Sequence, residues 1–374
     1  LAILKGRVDG LEAKVGELKA AQFSTTTKLK GKATFVVGAV DNEASDADEA
    51  LHFFYDYRLG LKTSYTGKDL LFARLRGGNM DNSIFAGDLT KLDVAGKNGN
   101  TIVVDRLWYK FPIGSEFTAI VGAKARNTES LGMKPSAYNV KTLNMFGGQW
   151  GTGNVHNKET GGLLGLIWKQ KVAKGEPAFT AALNYVADEG EEADSNDGLF
   201  TEDSKGNTTA QLGYGNKKWG AALGYRYGNC GAGFGTKYAG SSTCVTNSKV
   251  DSQNYAVNAY WKPDQTGIVP SISAGYGWST LNQGSSADDN LKSWMVGFQW
   301  DKLAGTDHKF AVALGVPTYD SDADAPGVSW EAALKYKVNS KISVIPAVFY
   351  IPEATQGTAN SSQFGGVVQT VFKF

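Results

Sequence analysis

The sequence has little of what most function classes need. Two cysteines, Cys230 and Cys244, occur among 374 residues, both in the Gly-rich stretch YGNCGAGFGTKYAGSSTCVTN. Their spacing does not suit a four-ligand zinc site, so the expectation is a loop disulfide in an oxidising compartment, with two free thiols as the alternative. Histidine is as scarce: His52, His156 and His308 fall on separate segments without metal-ligand spacing, and no resident metal is expected. Gly-rich pieces such as GFGTKYAG lack the strand–turn–helix setting of a phosphate loop, and no catalytic constellation stands out; enzymatic activity is not expected. Neither sign of charge dominates, with 38 basic against 37 acidic residues and a net charge of +1, so there is no global field to attract nucleic acid. No run of eighteen apolar residues exists, which excludes a transmembrane helix. A mean hydropathy of −0.27 leaves a membrane barrel open, because each of its strands needs only about ten alternating residues. The chain begins on Leu1, without methionine or a signal sequence, and reads as a processed or truncated piece with an upstream part missing.

Glycine (46), phenylalanine (18), tyrosine (16) and tryptophan (9) are what the chain has in quantity, and their placement is ordered. The first segment, LAILKGRVDGLEAKVGELKAAQF, spaces Leu1, Leu4, Val8, Leu11, Val15 and Leu18 by threes and fours. That is a heptad with Val at a and Leu at d, predicting a coiled coil over 1–23. Gly6, Gly10 and Gly16 weaken it by about 1 kcal/mol each relative to alanine, and a short helix packed on its own domain is the alternative.

From residue 28 onward the period is two. LHFFYDYRLGLKTSY puts Leu51, Phe53, Tyr55, Tyr57, Leu59 and Leu61 on one face and His52, Asp56, Arg58 and Lys62 on the other. The last stretch, QFGGVVQTVFKF, alternates to its final phenylalanine. Sixteen such segments occur, joined alternately by short turns (TGK, IGSE, GNKK, VNSK) and long loops. An even-stranded antiparallel meander of this kind predicts a 16-stranded outer-membrane β-barrel over 28–374. Phe374 would end the closing strand, paired with the first. Tyr65, Trp261, Trp278, Trp294, Trp300, Trp330 and Tyr336 would form an interfacial girdle facing membrane lipid. A soluble sandwich, with seven to nine strands per domain, fits sixteen strands and this alternation of connections poorly.

The heptad segment leading into KLKGKATFVVGAV, the barrel pattern and the C-terminal aromatic together resemble cyanobacterial outer-membrane porins of the iron-uptake type, related to the carbohydrate-selective porin family. The resemblance covers nearly the whole chain. It implies a homotrimer, and an upstream surface-layer-homology domain that binds peptidoglycan; this sequence lacks that domain, so a peptidoglycan link would run only through the missing part.

Charge is segregated along the barrel. Lys30, Lys32, Arg58, Lys62, Arg74, Arg76, Arg106, Lys110, Lys124 and Arg126 fall on the polar parity, which a lipid-facing barrel turns to its lumen. Few lumenal acids oppose them, mainly Asp56. A low-dielectric wall focuses such a field, so one reading is a basic ladder favouring anions such as phosphate, nitrate, bicarbonate or sulfate. The other is that these cations hold an inserted loop through carboxylates and backbone carbonyls.

The longest loop, 127–161, carries Leu131, Met133, Leu143, Met145, Phe146 and Trp150 and is predicted to fold into the barrel and narrow it. Lys134, Lys141, Gln149, Trp150 and His156 are the constriction candidates; a subunit contact or a cap over the mouth is the alternative. Acidic outer loops (DNEASDADEA, ADEGEEADSNDG, YDSDADAP) read as a solvated rim bridged by loosely held Ca²⁺ or Mg²⁺ to lipopolysaccharide. The expectation is passive diffusion of small hydrophilic solutes, chiefly inorganic ions. Its rivals are a dedicated iron or sugar channel and a plugged barrel that tethers the envelope through its coiled coil. An adhesin, which would need large exposed loops, ranks last.

Overall fold

The computed structural model describes residues 5–8, 10–12, 14, 26–44, 50–87, 89–193, 198–201, 204–229, 232–238, 251–264, 267–282 and 289–374. Residues 5–8, 10–12 and 14 are helical; the rest of the heptad segment lies outside the described residues, as do Cys230 and Cys244.

The alternating segments become sixteen strands. The first eight are β1 (Thr27–Asn42), β2 (His52–Thr63), β3 (Leu70–Gly78), β4 (Val103–Ile113), β5 (Phe117–Arg126), β6 (Thr160–Lys169), β7 (Ala178–Ala187) and β8 (Gly206–Gly215). The second eight are β9 (Trp219–Gly228), β10 (Asp251–Trp261), β11 (Ser271–Asn282), β12 (Asp289–Trp300), β13 (Lys309–Asp320), β14 (Ser329–Lys337), β15 (Ile342–Ile351) and β16 (Gln363–Lys373). Each pairs antiparallel with its chain neighbour, and β1 pairs with β16, so the sheet closes on itself. Closure removes the edge strands that an open sheet would leave unpaired.

The C-terminal aromatic completes the seam. Gly31 and Phe374 exchange backbone hydrogen bonds of 2.8 and 3.1 Å, and the Phe374 ring stacks on Tyr57 with centroids 6.2 Å apart. That ring occupies the space a side chain at residue 31 would need: a Cβ there would lie 2.0 Å from Phe374 Cε2. The last strand is therefore held along its whole length instead of fraying.

Alternation assigns the two faces. On β1, Thr34, Val36 and Val40 are buried while Phe35 and Val37 are exposed; on β16, Val367, Gln369 and Val371 are buried while Phe364 and Val368 are exposed. The exposed outer face is apolar around the barrel, with Leu183, Leu212, Leu223 and Val257 among its members, and Tyr65, Trp261, Trp278 and Tyr336 lie near strand ends. Such a band suits acyl chains and their interface.

The barrel interior is partly filled, by two loops. Loop 3 (127–159) lies against the inner face of β8 to β14. Loop 2 (79–102), whose insertion no local pattern predicts, also turns inward: Met80, Phe85, Leu89 and Leu92 are buried against Val36, Phe54, Phe349 and Val367. The two loops meet through an antiparallel bridge between Leu92 and Leu143.

Candidate functional site

Register lines up the lumenal cations. Directly opposed residues of an antiparallel pair share a face, with Cβ atoms about 4.5–5.5 Å apart. Lys373 of β16 stands opposite Lys32 of β1, Lys32 opposite Arg58 of β2, and Arg58 opposite Arg76 of β3. Beside this row, Arg74 of β3 faces Arg106 of β4. Like charges so placed repel, and each pair lowers the stability of the sheet unless something answers it.

Part of the answer is a set of carboxylates. Asp56 is fully buried; its Oδ2 lies 2.6 Å from Arg58 Nη2, and its Oδ1 accepts from Arg76 Nε at 2.7 Å. Asp105 accepts from Arg74 Nε at 2.5 Å and pairs with Arg106 at 3.3 Å. Glu129, at the start of loop 3, lies 3.3 Å from Arg106 Nε. The expectation of few lumenal acids is thus corrected. Strict alternation puts Asp105 on the outer face, but a bulge where β3 pairs with β4 lets both Asp105 and Arg106 reach inward.

Against this wall, Asp93 of loop 2 binds two cations of loop 3, Lys158 at 2.7 Å and Lys141 at 3.3 Å. The Asp93 backbone carbonyl accepts from Arg58 at 3.4 Å. Burial alone would raise the Asp93 carboxyl, but Lys158, Lys141 and Arg58 outweigh it and hold the group well below the usual carboxylate range. Asp93 therefore clamps loop 2 to loop 3.

The remaining predicted residues divide. Lys30 is exposed on the inner parity. Lys62 lies over the Phe72 ring at 5.9 Å; Lys110 lies over Trp108 at 5.4 Å and donates to the Glu129 carbonyl at 3.0 Å. Arg126, at the end of β5, donates to Thr160 Oγ1 at 3.4 Å. Lys124 does not join them. A second bulge, between Gly122 and Ala125, sets it opposite the outward Leu107, so it shares the outer face.

Loop 3 is held by its backbone. Val140 and Asn139 N–H donate to Gln299 Oε1 of β12 (3.1 and 2.8 Å), and Ala137 N–H to Ser273 Oγ of β11 (2.9 Å). Met133 N–H donates to Gln211 Oε1 of β8 at 3.0 Å. Glu331 of β14 accepts from the Tyr138 hydroxyl and from Leu143 N–H, both at 2.7 Å. Arg226 of β9, wholly buried, donates to the Asn154 carbonyl at 2.5 Å. At Gly275 of β11 the loop approaches so closely that a Cβ would lie 2.2 Å from the Trp150 carbonyl.

These anchors distribute the loop candidates. Lys141 is half exposed beside Asp93. Lys134 donates to the Tyr138 carbonyl at 3.1 Å and lies 5.8 Å from the Trp150 ring; burial, helped by Lys141 and Lys262, lowers its ammonium to about 8. Gln149, Trp150 and His156 are buried: Gln149 accepts from Thr236 N–H, between β9 and β10, at 3.0 Å, and His156 Nδ1 meets Thr152 Oγ1 of the same loop at 2.8 Å. Hydrophobic content and length pointed to this loop, but not to which side chains would face water. Asp93, Asp105, Glu129, Lys158, Arg226 and Glu331 escaped the sequence reading. For Arg226 a signal existed, as the single charge on the inner parity of LGYRYG.

In the acidic outer loops, Asp46, Asp48, Glu49, Asp194 and Asp197 lie outside the described residues. Among the described residues no three His, Cys, Asp or Glu side chains gather as metal ligands.

A closed sixteen-strand barrel with an apolar exterior, a charged lumen and inward loops is the architecture of an outer-membrane porin. The chain belongs to the carbohydrate-selective porin, OprB family, whose description matches residues 1–290. It is similar to an uncharacterized protein of Nostoc sp., 28% identical over 410 residues, which span 100% of this chain and 70% of that one. A second uncharacterized protein, of Synechocystis sp., is 24% identical over 404 residues, 98% of this chain and 72% of the other. Among solved structures, an anion-selective porin from Comamonas acidovorans matches with a TM-score of 0.61 at 14% identity, covering 93% of this chain and 99% of that one. Pseudomonas putida OprB gives 0.61 at 13% identity, with 93% and 94% covered. At these identities the structural likeness speaks to the fold. The protein is a channel of the outer membrane and not an enzyme.

Proposed function

We propose that this porin lets small hydrophilic solutes diffuse passively and favours inorganic anions, through a constriction between the β1–β4 wall and loops 2 and 3. The observation that carries this reading is the row of directly opposed cations from Lys373 to Arg76, with Arg74 and Arg106 beside it. Its carboxylates do not use up its donors: Arg76 Nη2 and Arg106 Nη2 have no protein acceptor. Both guanidinium groups are buried, and a buried N–H left unmet keeps the capacity for a charge-assisted hydrogen bond to an anion that reaches it from the lumen. The low-dielectric wall strengthens that attraction relative to open water.

The test is the reversal potential of the purified porin in a planar bilayer under a KCl gradient. Wild type should prefer chloride, and R74Q/R76Q/R106Q should lose most of that preference. An unchanged reversal potential in the triple variant refutes the basic-row reading.

The family's description favours a second reading, a channel for carbohydrate. Sugar binding wants exposed aromatic faces. Phe54 instead packs on Phe85 of loop 2 at 5.5 Å, and Trp108 packs on Phe72 at 5.1 Å and is 9% exposed. Saturable interruption of the ion current by glucose or maltotriose would support the carbohydrate reading. Absence of any current steps would favour the plugged tether.

The same proposal includes a homotrimer, the form named for one solved neighbour, OmpT of Vibrio cholerae. It also includes loosely held Ca²⁺ or Mg²⁺ at the acidic outer rim, next to lipopolysaccharide.

A further inference from the structure

A cavity of about 420 Å³ opens at the end of the barrel that carries the short turns. Lys302, Lys309, Lys335, Lys337 and Lys373 line it, from the β12–β13 turn and from β13, β14 and β16. Two acids answer them. Asp301 holds Lys309 and Asp307 holds Lys337, each at 2.6 Å. Lys302, Lys335 and Lys373 form no ion pair with any described carboxylate. Lys309 also stands directly opposite Lys335, as Lys373 does opposite Lys32. Two opposed lysine pairs at one mouth destabilise the empty sheet, and an anion between them would reverse the sign of that contribution. Ser340, Ser343 and the Asn339 side chain add neutral polar groups to the lining, and the space exceeds several water volumes.

We propose that this cavity is a binding vestibule for a small multivalent oxyanion, phosphate or sulfate in chemistry, at the periplasmic mouth of the channel. Three unpaired ammonium groups and flanking hydroxyls suit an anion of charge two or more better than chloride, because each added lysine contact strengthens with ligand charge. Through Lys373 the vestibule continues into the cationic row at Lys32, so an anion leaving that row meets the vestibule next. The inference rests on the anion reading above and adds a discrete site to it.

The experiment is planar-bilayer recording in KCl with sodium sulfate, and separately inorganic phosphate, added to one side at a time. Wild-type chloride current should fall saturably, from the side facing the short turns. The half-blocking concentration should rise at least about tenfold in K302Q/K335Q/K373Q, the change expected when several charge contacts of this kind are lost. Equal half-block in the variant, or a decline linear in sulfate from both sides, overturns the vestibule. Should the triple variant fail to insert, amine acylation of the detergent-solubilised wild-type porin decides instead. Sulfate should slow labelling of Lys335 and Lys373 several-fold while leaving Lys217 and Lys218, on a different turn, unchanged; uniform labelling overturns the proposal. The two readings fail separately. The KCl gradient without sulfate reports on the parent reading, so a cation-preferring channel sinks that reading, whereas an anion-preferring channel without sulfate block sinks only the vestibule.

Discussion

Two halves of one barrel wall treat the inside differently. From β1 to β4 the inner positions carry Lys32, Arg58, Arg74, Arg76 and Arg106, with Asp56 and Asp105 among them. From β7 to β12 the described inner positions are uncharged apart from Arg226, and many are polar, including Asn184, Gln211, Asn258, Ser273 and Gln299. The difference follows from what each half faces. Loop 3 brings a non-repetitive backbone whose N–H and C=O groups must be met once buried. Amides and hydroxyls can meet them at modest desolvation cost, whereas a charge buried there needs full pairing. The other half answers its charges with one another: Asp56, Arg76 and Arg106 are buried but paired, while Lys32, Arg58 and Arg74 keep partial exposure.

The strongest test of this division removes the loop. Deleting most of 130–157 should raise single-channel conductance several-fold, because the polar half-wall would then be wetted as the charged half is. Conductance equal to wild type would mean that the loop does not limit the pore. A milder route is Gly275→Val, whose side chain collides with the Trp150 carbonyl and should push the loop toward the lumen.

Arg226 marks where the division is broken, and its removal ranks next. Its guanidinium donates to the Asn154 carbonyl and to Asn207 Oδ1, both at 2.5 Å, and lies 5.2 Å from the Phe234 ring. Arg226→Met fills similar space but leaves the Asn154 carbonyl without this donor and Asn207 Oδ1 with Asn157 Nδ2 alone. A loss of about 2 kcal/mol is expected, in the range for leaving a buried acceptor without its donor. Heat-modifiability on gels should show it as a lower dissociation temperature, and open-channel noise should rise as the loop loosens. Stability at wild-type level would show that the charge is not what holds Asn154.

On the charged half, the sharpest single change is Asp105→Asn. Asp105 bridges Arg74 and Arg106, so neutralising it frees donors on both. The anion-to-cation permeability ratio should rise by about twofold, a small effect because the lumen is wet and screened. A fall in the ratio would mean that Asp105 mainly positions the arginines.

The barrel itself was legible in the sequence because period two and the alternation of connection lengths are local signals. LHFFYDYRLGLKTSY shows both faces without any knowledge of its neighbours. The lumenal arginines were legible for the same reason. Their partners were not. Asp105 and Lys124 sit at bulges, and one extra residue moves a side chain to the other face without changing the surrounding pattern. Asp93 and Lys158 belong to different loops, and their meeting depends on where each loop settles, which no periodicity encodes. Apolar residues in loop 3 announced insertion, but the burial of His156 follows from its contacts with Thr152 and Trp150 in the folded loop.

That burial gives an effect on the covered half alone. Desolvation lowers the His156 imidazole to about 4, against an ordinary value near 6.5, with the hydrogen bond to Thr152 opposing only in part. The folded loop therefore prefers the neutral ring. Below about pH 6.5 a released loop takes up a proton that the seated loop refuses, so the hold on loop 3 is complete at neutral pH and weakens as pH falls toward 4. The whole window is worth about 3 kcal/mol, of which a drop from pH 7 to pH 5 takes about 2. Open-channel noise recorded across that range should grow in wild type and stay nearly level in His156→Asn, which cannot titrate there. Equal growth in both would place the acid sensitivity elsewhere than in loop 3's histidine, and would leave the charged half of the wall as the place to look for it.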